Sequence, residues 1–128
     1  MQVPDFEPDP AVPAEHLRRI GIEHARDRGL TGAGTLIGVL DTGIDALHAE
    51  FIDKNVYFQE FDANGHEVAN QMPWDAAGGH GTAVCSLAAG ATLGVAMRAD
   101  LAVARVLTAE TVSGGYSGEY AQIHSCPN

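Results

Sequence analysis

The sequence predicts an α/β domain built on a parallel sheet, and three features support this fold class. Residues 36–40 are apolar or small with no alternation of period two, which is typical of a strand buried on both faces. Residues 101–107 form a second run that is apolar except for Arg105, and apolar side chains at helical spacing follow residue 80. Strands that alternate with helices in this way indicate a parallel sheet.

The composition is that of one globular domain with an acidic surface. The chain has 128 residues, of which 45% are hydrophobic and 19% are charged, and this length suits one domain. Seventeen acidic residues against seven basic ones give a formal charge of −10. Such a surface repels phosphate backbones, so we expect no nucleic-acid partner.

The sequence predicts neither a targeting signal nor a membrane span. Residues 1–13 are acidic and contain four prolines, without the basic and apolar regions of a secretory signal. The longest apolar run, residues 87–97, is too short and too rich in glycine and alanine to cross a bilayer. As the chain is written, we therefore expect a cytoplasmic protein with no membrane partner.

The N-terminal residues predict an extended arm followed by a split helix. Residues 1–13 are expected to be extended because of their prolines, and residues 14–28 have a helical composition. Gly21 divides this helix, and Gly29 is placed to cap its end. Its predicted apolar contacts are Leu17, Ile20 and Ile22.

Three glycines lie before or within the first strand. A dinucleotide-binding fingerprint follows a strand and opens a helix, whereas Gly32, Gly34 and Gly38 precede and enter a strand. We interpret residues 30–34 as a turn.

The middle of the chain predicts a second strand, a loop and a helix. The strand is expected at residues 56–61, and residues 62–79 are rich in the residues of surface loops. A helix opens at His80 and is expected to end at Gly90 or Gly94. Its predicted buried face consists of Ala83, Val84, Leu87 and Ala88. A further strand at residues 101–107 and a last helix from near Gly118 complete the pattern.

Asp41 and His80 are the two residues that could form a catalytic pair. Asp41 ends the first strand, which is predicted to be central, and ligands bind at the carboxyl edge of such sheets. A carboxylate there would fix the tautomer of His80 and stabilise its charge, while the helix dipole would favour the neutral ring. These opposing influences suit a general base. The structural alternatives are a turn-forming Asp41 and a helix-capping His80.

These residues resemble the two motifs of the subtilisin-like serine proteases, the subtilases. Residues 39–45, VLDTGID, resemble the aspartate motif of the family, and residues 79–84, GHGTAV, resemble its histidine motif. Both occur in the chain order of the family, and the resemblance extends over about residues 14–123. It implies a three-layer, doubly wound parallel sheet of the subtilisin type, incomplete at the C-terminal side, with residues 14–128 as part of a catalytic domain.

The resemblance also implies roles for individual residues. Asp41 would orient the base, and His80 would act first as the base and later as the acid. A second segment resembles the one that pairs with an extended polypeptide substrate as an added strand, and it comprises Ser113, Gly114, Gly115 and Tyr116. Tyr116 would flank a side-chain pocket.

The resemblance implies no cofactor, and it leaves cellular location open. Glu50 falls where some subtilases place a calcium-ligating carboxylate, but the insertion that completes that site is missing, so we expect no metal. Many subtilases are secreted, in contrast to the cytoplasmic location expected above.

The family's nucleophile does not occur within these 128 residues. It lies in a Gly-Thr-Ser motif, which is missing here, and the oxyanion Asn of the family also lies beyond residue 128. Without them acyl transfer lacks its attacking atom and its charge stabiliser, so we expect these residues alone to be inactive. Two hypotheses remain. One is the N-terminal part of a serine endopeptidase completed by a C-terminal half, and the other is a non-catalytic relic or peptide-binding module.

The two cysteines leave several states open. Cys85 and Cys126 could form a disulfide, remain free thiols, or leave one thiol buried in a helix. Cys85 falls on the expected core face of its helix.

Overall fold

The computed structural model describes residues 12–111 and 113–124. The predicted extended arm therefore lies outside the described residues except for Val12 and Pro13, and Cys126 lies outside them as well. The elements in chain order are α1 (Glu15–Arg19), α2 (Ile22–Asp27), β1 (Leu36–Asp41), a short 3-10 helix (Ala49–Phe51), β2 (Val56–Phe61), β3 (Glu67–Val68), α3 (His80–Ala89), β4 (Asp100–Arg105), β5 (Ala109–Glu110), β6 (Tyr116–Ser117) and α4 (Tyr120–His124). Among the described residues, no helix is long and apolar enough to cross a membrane.

The N-terminal helix is split where the sequence predicts. Gly21 separates α1 from α2 with a φ of 76°, a left-handed conformation that glycine adopts without steric penalty. Leu17 and Ile22 are buried, but Ile20 is 62% exposed, which contradicts its predicted core position. Ile20 is the C-cap of α1, so the chain turns away from the core at this residue.

Four strands form one sheet in the order β1-β4-β2-β3. β1, β4 and β2 are parallel, and β3 is antiparallel to β2, so the predicted α/β class is present with one added antiparallel strand. β1 is predicted to be central, but in the described residues it lies at the edge and pairs only with β4. β4 occupies the space between β1 and β2.

The two faces of the sheet are covered unequally. On one face, Val39 of β1 and Val103 of β4 pack with Cys85 of α3 in the main hydrophobic core. On the other face, Leu36 is 58% exposed and Leu40 is 45% exposed. The prediction that β1 is buried on both faces is therefore wrong, because the described residues place no cover over these two leucines.

α3 begins and ends where the sequence predicts, but it buries a different face. Its buried residues are Gly81, Cys85, Ser86 and Ala89, and Val84 and Ala88 are partly buried. Ala83 is exposed, and Leu87 is 52% exposed. Small residues at Gly81 and Cys85 let the helix approach the sheet closely, and Leu87 instead lines an open groove of about 780 Å³ that Trp74 and Leu93 also line.

Residues 62–79 contain more structure than the predicted loop. β3 pairs with β2, with Phe61 opposite Glu67. The backbone N–H of Asp62 donates to the backbone carbonyl of His66 at 2.9 Å. Further along, Asp75 forms an isolated antiparallel bridge with Gly43. The region predicted as an irregular loop therefore contains a short hairpin and a segment at Asp75 that crosses the end of β1.

Candidate active site

Asp41 lies at the carboxyl end of β1, and strand pairing holds it in place. The residue is 6% exposed. Its Oδ1 accepts hydrogen bonds from the backbone N–H of Thr42 at 2.6 Å and from Nδ1 of His80 at 2.8 Å. Its backbone carbonyl accepts from the N–H groups of Val106 at 3.0 Å and Leu107 at 3.2 Å. These last two bonds tie the end of β1 to the chain that leaves β4.

Two glycines allow His80 to reach Asp41. A Cβ atom on Gly81 would lie 2.1 Å from the carbonyl oxygen of Gly43, and a Cβ atom on Gly43 would lie 2.0 Å from that of Trp74. Gly43 also has a φ of 125°, which favours glycine. Backbone therefore packs directly against backbone at two points: the start of α3 contacts the turn after β1, and that turn contacts the loop at Trp74. These contacts set the position of His80.

The hydrogen bond with Asp41 determines which nitrogen of His80 is available. An ionised carboxylate only accepts, so Nδ1 carries the proton and Nε2 keeps its lone pair. The hydrogen bond and the charge of Asp41, with a smaller contribution from Asp75, raise the pKa of His80 above its ordinary value. Because the His80 side chain is 69% exposed, its ring is accessible to a reacting group. The structure brings the two predicted residues together, and their catalytic role stays a prediction.

Asp75 joins the two motifs, although none of the predictions from the sequence includes it. Its Oδ1 accepts from the Thr42 hydroxyl at 2.7 Å and from the backbone N–H of Ala76 at 2.8 Å. Its Oδ2 accepts from the backbone N–H of Thr82 at 2.8 Å and from the hydroxyl of the same residue at 2.6 Å. Burial alone would raise the pKa of Asp75, but these hydrogen bonds bring it below its ordinary value.

One sequence signal would have pointed to Asp75. The cap residue of α3, Gly79, has no side chain, and the first N–H groups of a helix need acceptors. An acidic residue five positions before His80 is therefore a candidate for that role.

A buried arginine and a tryptophan cover the carboxyl edge of the sheet. Arg105 is 4% exposed, its guanidinium lies 3.9 Å from the ring centroid of Trp74, and its Nη1 donates to the carbonyl of Thr42. Nε1 of Trp74 donates to Glu60 at 2.8 Å, and Nε of Arg105 lies 3.6 Å from the same carboxylate. The contacts hold the loop before α3 against the strands.

The predicted substrate-binding segment lies in a separate hairpin of β5 and β6. Ser113 and Gly114 lie in its turn, and Tyr116 begins β6. The backbone N–H of Gly115 donates to the Thr111 hydroxyl at 3.0 Å, and its carbonyl accepts from the Thr111 N–H at 2.8 Å. These groups are bonded within the hairpin, and the binding role of residues 113–116 remains a prediction.

The carboxylate of Glu50 holds the chain that follows α3. It accepts from the backbone N–H groups of Thr92 and Leu93, each at 3.0 Å, and from the Thr92 hydroxyl. Burial alone would raise the pKa of Glu50, but these bonds bring it below its ordinary value. In the part of the chain that the structure describes, no group of three or more His, Cys, Asp and Glu residues could hold a metal ion.

Cys85 is a free, fully buried thiol. Burial raises its pKa to about 12, so it is protonated and unreactive at neutral pH. Of the states that the sequence left open for this residue, the structure shows the buried free thiol.

A histidine whose Nδ1 is bonded to a buried carboxylate recurs among the serine hydrolases. Residues 32–124 match the family model described as the subtilase family. This match spans most of the chain, so the chain belongs to the subtilase family of serine proteases.

Individual relatives agree with this assignment. The chain is 40% identical over 95 residues to the subtilisin-like protease PopC of Myxococcus xanthus (strain DK1622), covering 72% of this chain and 20% of that protein. It is 32% identical over 126 residues to subtilisin-like protease 7 of Trichophyton equinum, covering 92% of this chain and 29% of that protein. The chain thus spans less than a third of the length of either relative.

A solved structure shares the fold. The CspB protease of Clostridium perfringens matches with a TM-score of 0.57 and 22% identity, covering 79% of this chain and 26% of that one.

Proposed function

We propose that these residues form the acid–base part of a serine endopeptidase, in which Asp41 orients His80 and His80 is the general base. The nucleophilic serine and the oxyanion donor would come from residues outside the 128, whether on the same polypeptide or on a second one. The observation that carries the proposal is the 2.8 Å contact between Nδ1 of His80 and Oδ1 of Asp41, and membership of the subtilase family supports the reaction class.

In the proposed reaction, Nε2 of His80 takes the serine proton as the serine oxygen attacks the peptide carbonyl carbon. Asp41 keeps the imidazole in the tautomer with Nδ1 protonated and stabilises the imidazolium that forms. When the tetrahedral intermediate collapses, Nε2 gives that proton to the leaving amine. Water then attacks the acyl-enzyme by the same steps. The reaction consumes water and needs no cofactor.

The proposed substrate is a polypeptide in extended conformation, bound along residues 113–116 as an added strand. Ser113, Gly114 and Gly115 are exposed, which supports access. Because Gly115 is hydrogen-bonded to Thr111 at both its N–H and its carbonyl, a peptide that used these groups would require the turn to open. In the whole catalytic domain, further helices would cover the face of Leu36 and Leu40 and complete a three-layer sheet.

The test is labelling with a fluorophosphonate probe, which reacts with an activated serine. The longest natural polypeptide that carries these residues should be labelled, and His80→Ala should abolish labelling. His48→Ala is the matched control, because His48 is an exposed histidine on the groove beside α3, and it should label normally.

Two results would contradict parts of this proposal. Labelling of the 128 residues alone would show that they contain a reactive serine. Failure to label the longer polypeptide would favour the alternative, a non-catalytic module that binds peptides.

A further inference from the structure

We propose that Asp75 is a positioning residue, which holds the start of α3 in register with the end of β1 and thereby sets the geometry of His80 against Asp41. The kinetic consequences rest on the proposed function.

The first N–H groups of α3 take their hydrogen-bond acceptors from outside the helix. Gly79 occupies the cap position and has no side chain to accept them. The N–H of Gly81 instead donates to the Thr42 hydroxyl at 2.9 Å, and the N–H of Thr82 donates to the Asp75 carboxylate at 2.8 Å. The helix start is therefore anchored to the turn after β1 and to the loop before α3.

Asp75 connects these two anchors through a single carboxylate. One oxygen accepts from Thr42, the residue next to Asp41, and the other accepts from Thr82, two residues after His80. The Thr42 hydroxyl has only one proton, so when it donates to Asp75 it offers a lone pair to Gly81. Asp75 thus fixes the direction of the hydrogen bonds that join the two motifs.

The backbone around Asp75 is itself held in place. Asp75 forms a bridge with Gly43, and the N–H of Ile44 donates to the carbonyl of Trp74 at 3.0 Å. The Trp74 ring lies against the guanidinium of Arg105. Because these contacts fix the backbone at residues 74 and 75, the Asp75 carboxylate can in turn restrain the start of α3.

Asparagine cannot reproduce this arrangement. All four hydrogen bonds of the Asp75 side chain are accepted ones, whereas an amide has one accepting oxygen and one donating nitrogen. If the amide oxygen keeps the hydrogen bonds from Thr42 and Ala76, the amide nitrogen faces the N–H of Thr82. Two donors then face each other without an acceptor, which is unfavourable. Asp75→Asn therefore loosens the helix start with little change in side-chain volume.

The experiment compares Asp75→Asn with Asp45→Asn in the longest natural polypeptide that carries the serine. Asp45 is an exposed carboxylate on the groove beside α3, and its side chain accepts from the N–H of Leu47 at 3.1 Å, which an amide oxygen can also do. We expect Asp75→Asn to lower kcat by about 10- to 100-fold, because small displacements of catalytic groups have effects of that order. KM should stay within about twofold, and Asp45→Asn should match the wild type.

A second readout does not depend on peptidase activity. The charge of Asp75 helps to raise the pKa of His80, so Asp75→Asn should lower that pKa. The pKa is measured by NMR on protein labelled with carbon-13 at Cε1 of histidine, with His80→Gln used to assign the signal. Asp45→Asn should leave it unchanged.

Thr82→Val is the second variant in case Asp75→Asn folds poorly. It removes the hydroxyl bond to Asp75 and the bond that the same hydroxyl accepts from the backbone N–H of Asp45 at 2.9 Å. It keeps the bond from its own backbone N–H to Asp75. We expect a smaller fall in kcat in the same direction, corrected for the folded fraction by circular dichroism.

The outcomes separate this inference from the proposed function. If the wild type has no peptidase activity while Thr82→Val, which keeps the charge of Asp75, also lowers the pKa of His80, the proposed function fails and the link from Asp75 to His80 stands. If the wild type is active, but kcat and the His80 pKa in Asp75→Asn match those of Asp45→Asn, the inference is wrong. A loss of thermal stability without a change in kcat would likewise overturn it, because Asp75 would then have a structural role only.

Discussion

Oδ1 of Asp41 and Nδ1 of His80 lie 2.8 Å apart, although 39 positions separate them in the chain. Each residue stands at the end of a regular element, Asp41 at the last position of β1 and His80 at the first position of α3. The elements meet through the backbones of Gly43 and Gly81, where no side chain would fit. The packing of β1 against α3 thus brings Asp41 and His80 into contact.

The pH dependence of the proposed reaction should follow His80. The base must be neutral to accept the serine proton, so kcat/KM should rise with pH through the pKa of His80. Asp41 raises that pKa above 6.5, and Asp41→Asn should therefore shift the acidic limb of the profile to lower pH. Profiles of the two proteins that superimpose after scaling would contradict the assignment.

The raised pKa of His80 also determines how its contribution to folding stability changes with pH. Because the pKa of folded His80 is raised, its contribution to stability is present below the unfolded pKa and is lost as pH rises through the folded one. The ring is largely exposed, so we expect this effect to be small.

The contact between Asp41 and His80 could be predicted from the sequence because both residues carry local signals. Asp41 ends an apolar run, and His80 lies between glycines at the start of a helix. Asp75 carries a weaker signal, the cap residue Gly79 without a side chain, because its contacts reach Thr42, 33 positions away, and Thr82, seven positions away. Only the folded chain shows that one carboxylate serves both.

Burial was harder to predict than element boundaries. In an alanine-rich helix such as α3, periodicity does not determine which side meets the sheet, and the close approach at Gly81 turned Leu87 outward. The apolar run of β1 predicts burial on both faces, but an apolar run does not show whether both faces are covered, and within the described residues Leu36 and Leu40 are exposed.

The open face of the sheet should make the 128-residue chain self-associate. In the described part of the chain, Leu36 and Leu40 project from a strand that pairs with a neighbour on one side, and such an edge is prone to aggregation. Replacing both with threonine, which retains strand propensity, should reduce association measured by size-exclusion chromatography with light scattering. Leu47→Thr is the control, because Leu47 is 90% exposed outside the sheet and should have no effect. A wild-type chain that is a soluble monomer with a sharp two-state melt would contradict this expectation.

Glu50→Gln should destabilise the fold. The Glu50 carboxylate accepts three hydrogen bonds from Thr92 and Leu93. In Glu50→Gln the oxygen can keep the two N–H groups and the amide nitrogen must donate to the Thr92 hydroxyl, so that bond is reversed and all three lose the strengthening effect of the charge. We expect the free energy of unfolding to fall by about 1–3 kcal/mol, measured by urea denaturation of the longest natural polypeptide. Asp53→Asn, an exposed carboxylate nearby, should have no effect.

The effect of Glu50 should also depend on pH. Its folded pKa lies below the ordinary value of 4.5, so its contribution is present above the unfolded pKa and is lost as pH falls through the folded one. The difference in stability between the wild type and Glu50→Gln should therefore shrink in acid. A difference that stays constant down to the acid limit would contradict the role of the ionised carboxylate.

The most direct test of the central claim is kcat for Asp41→Asn in the polypeptide that carries the serine. Asparagine fits the site of Asp41, but it neither holds the productive tautomer of His80 nor stabilises the imidazolium, so kcat should fall by about 10⁴-fold. A value within about tenfold of the wild type would contradict the assignment of Asp41 and His80 as the acid–base pair of a serine protease.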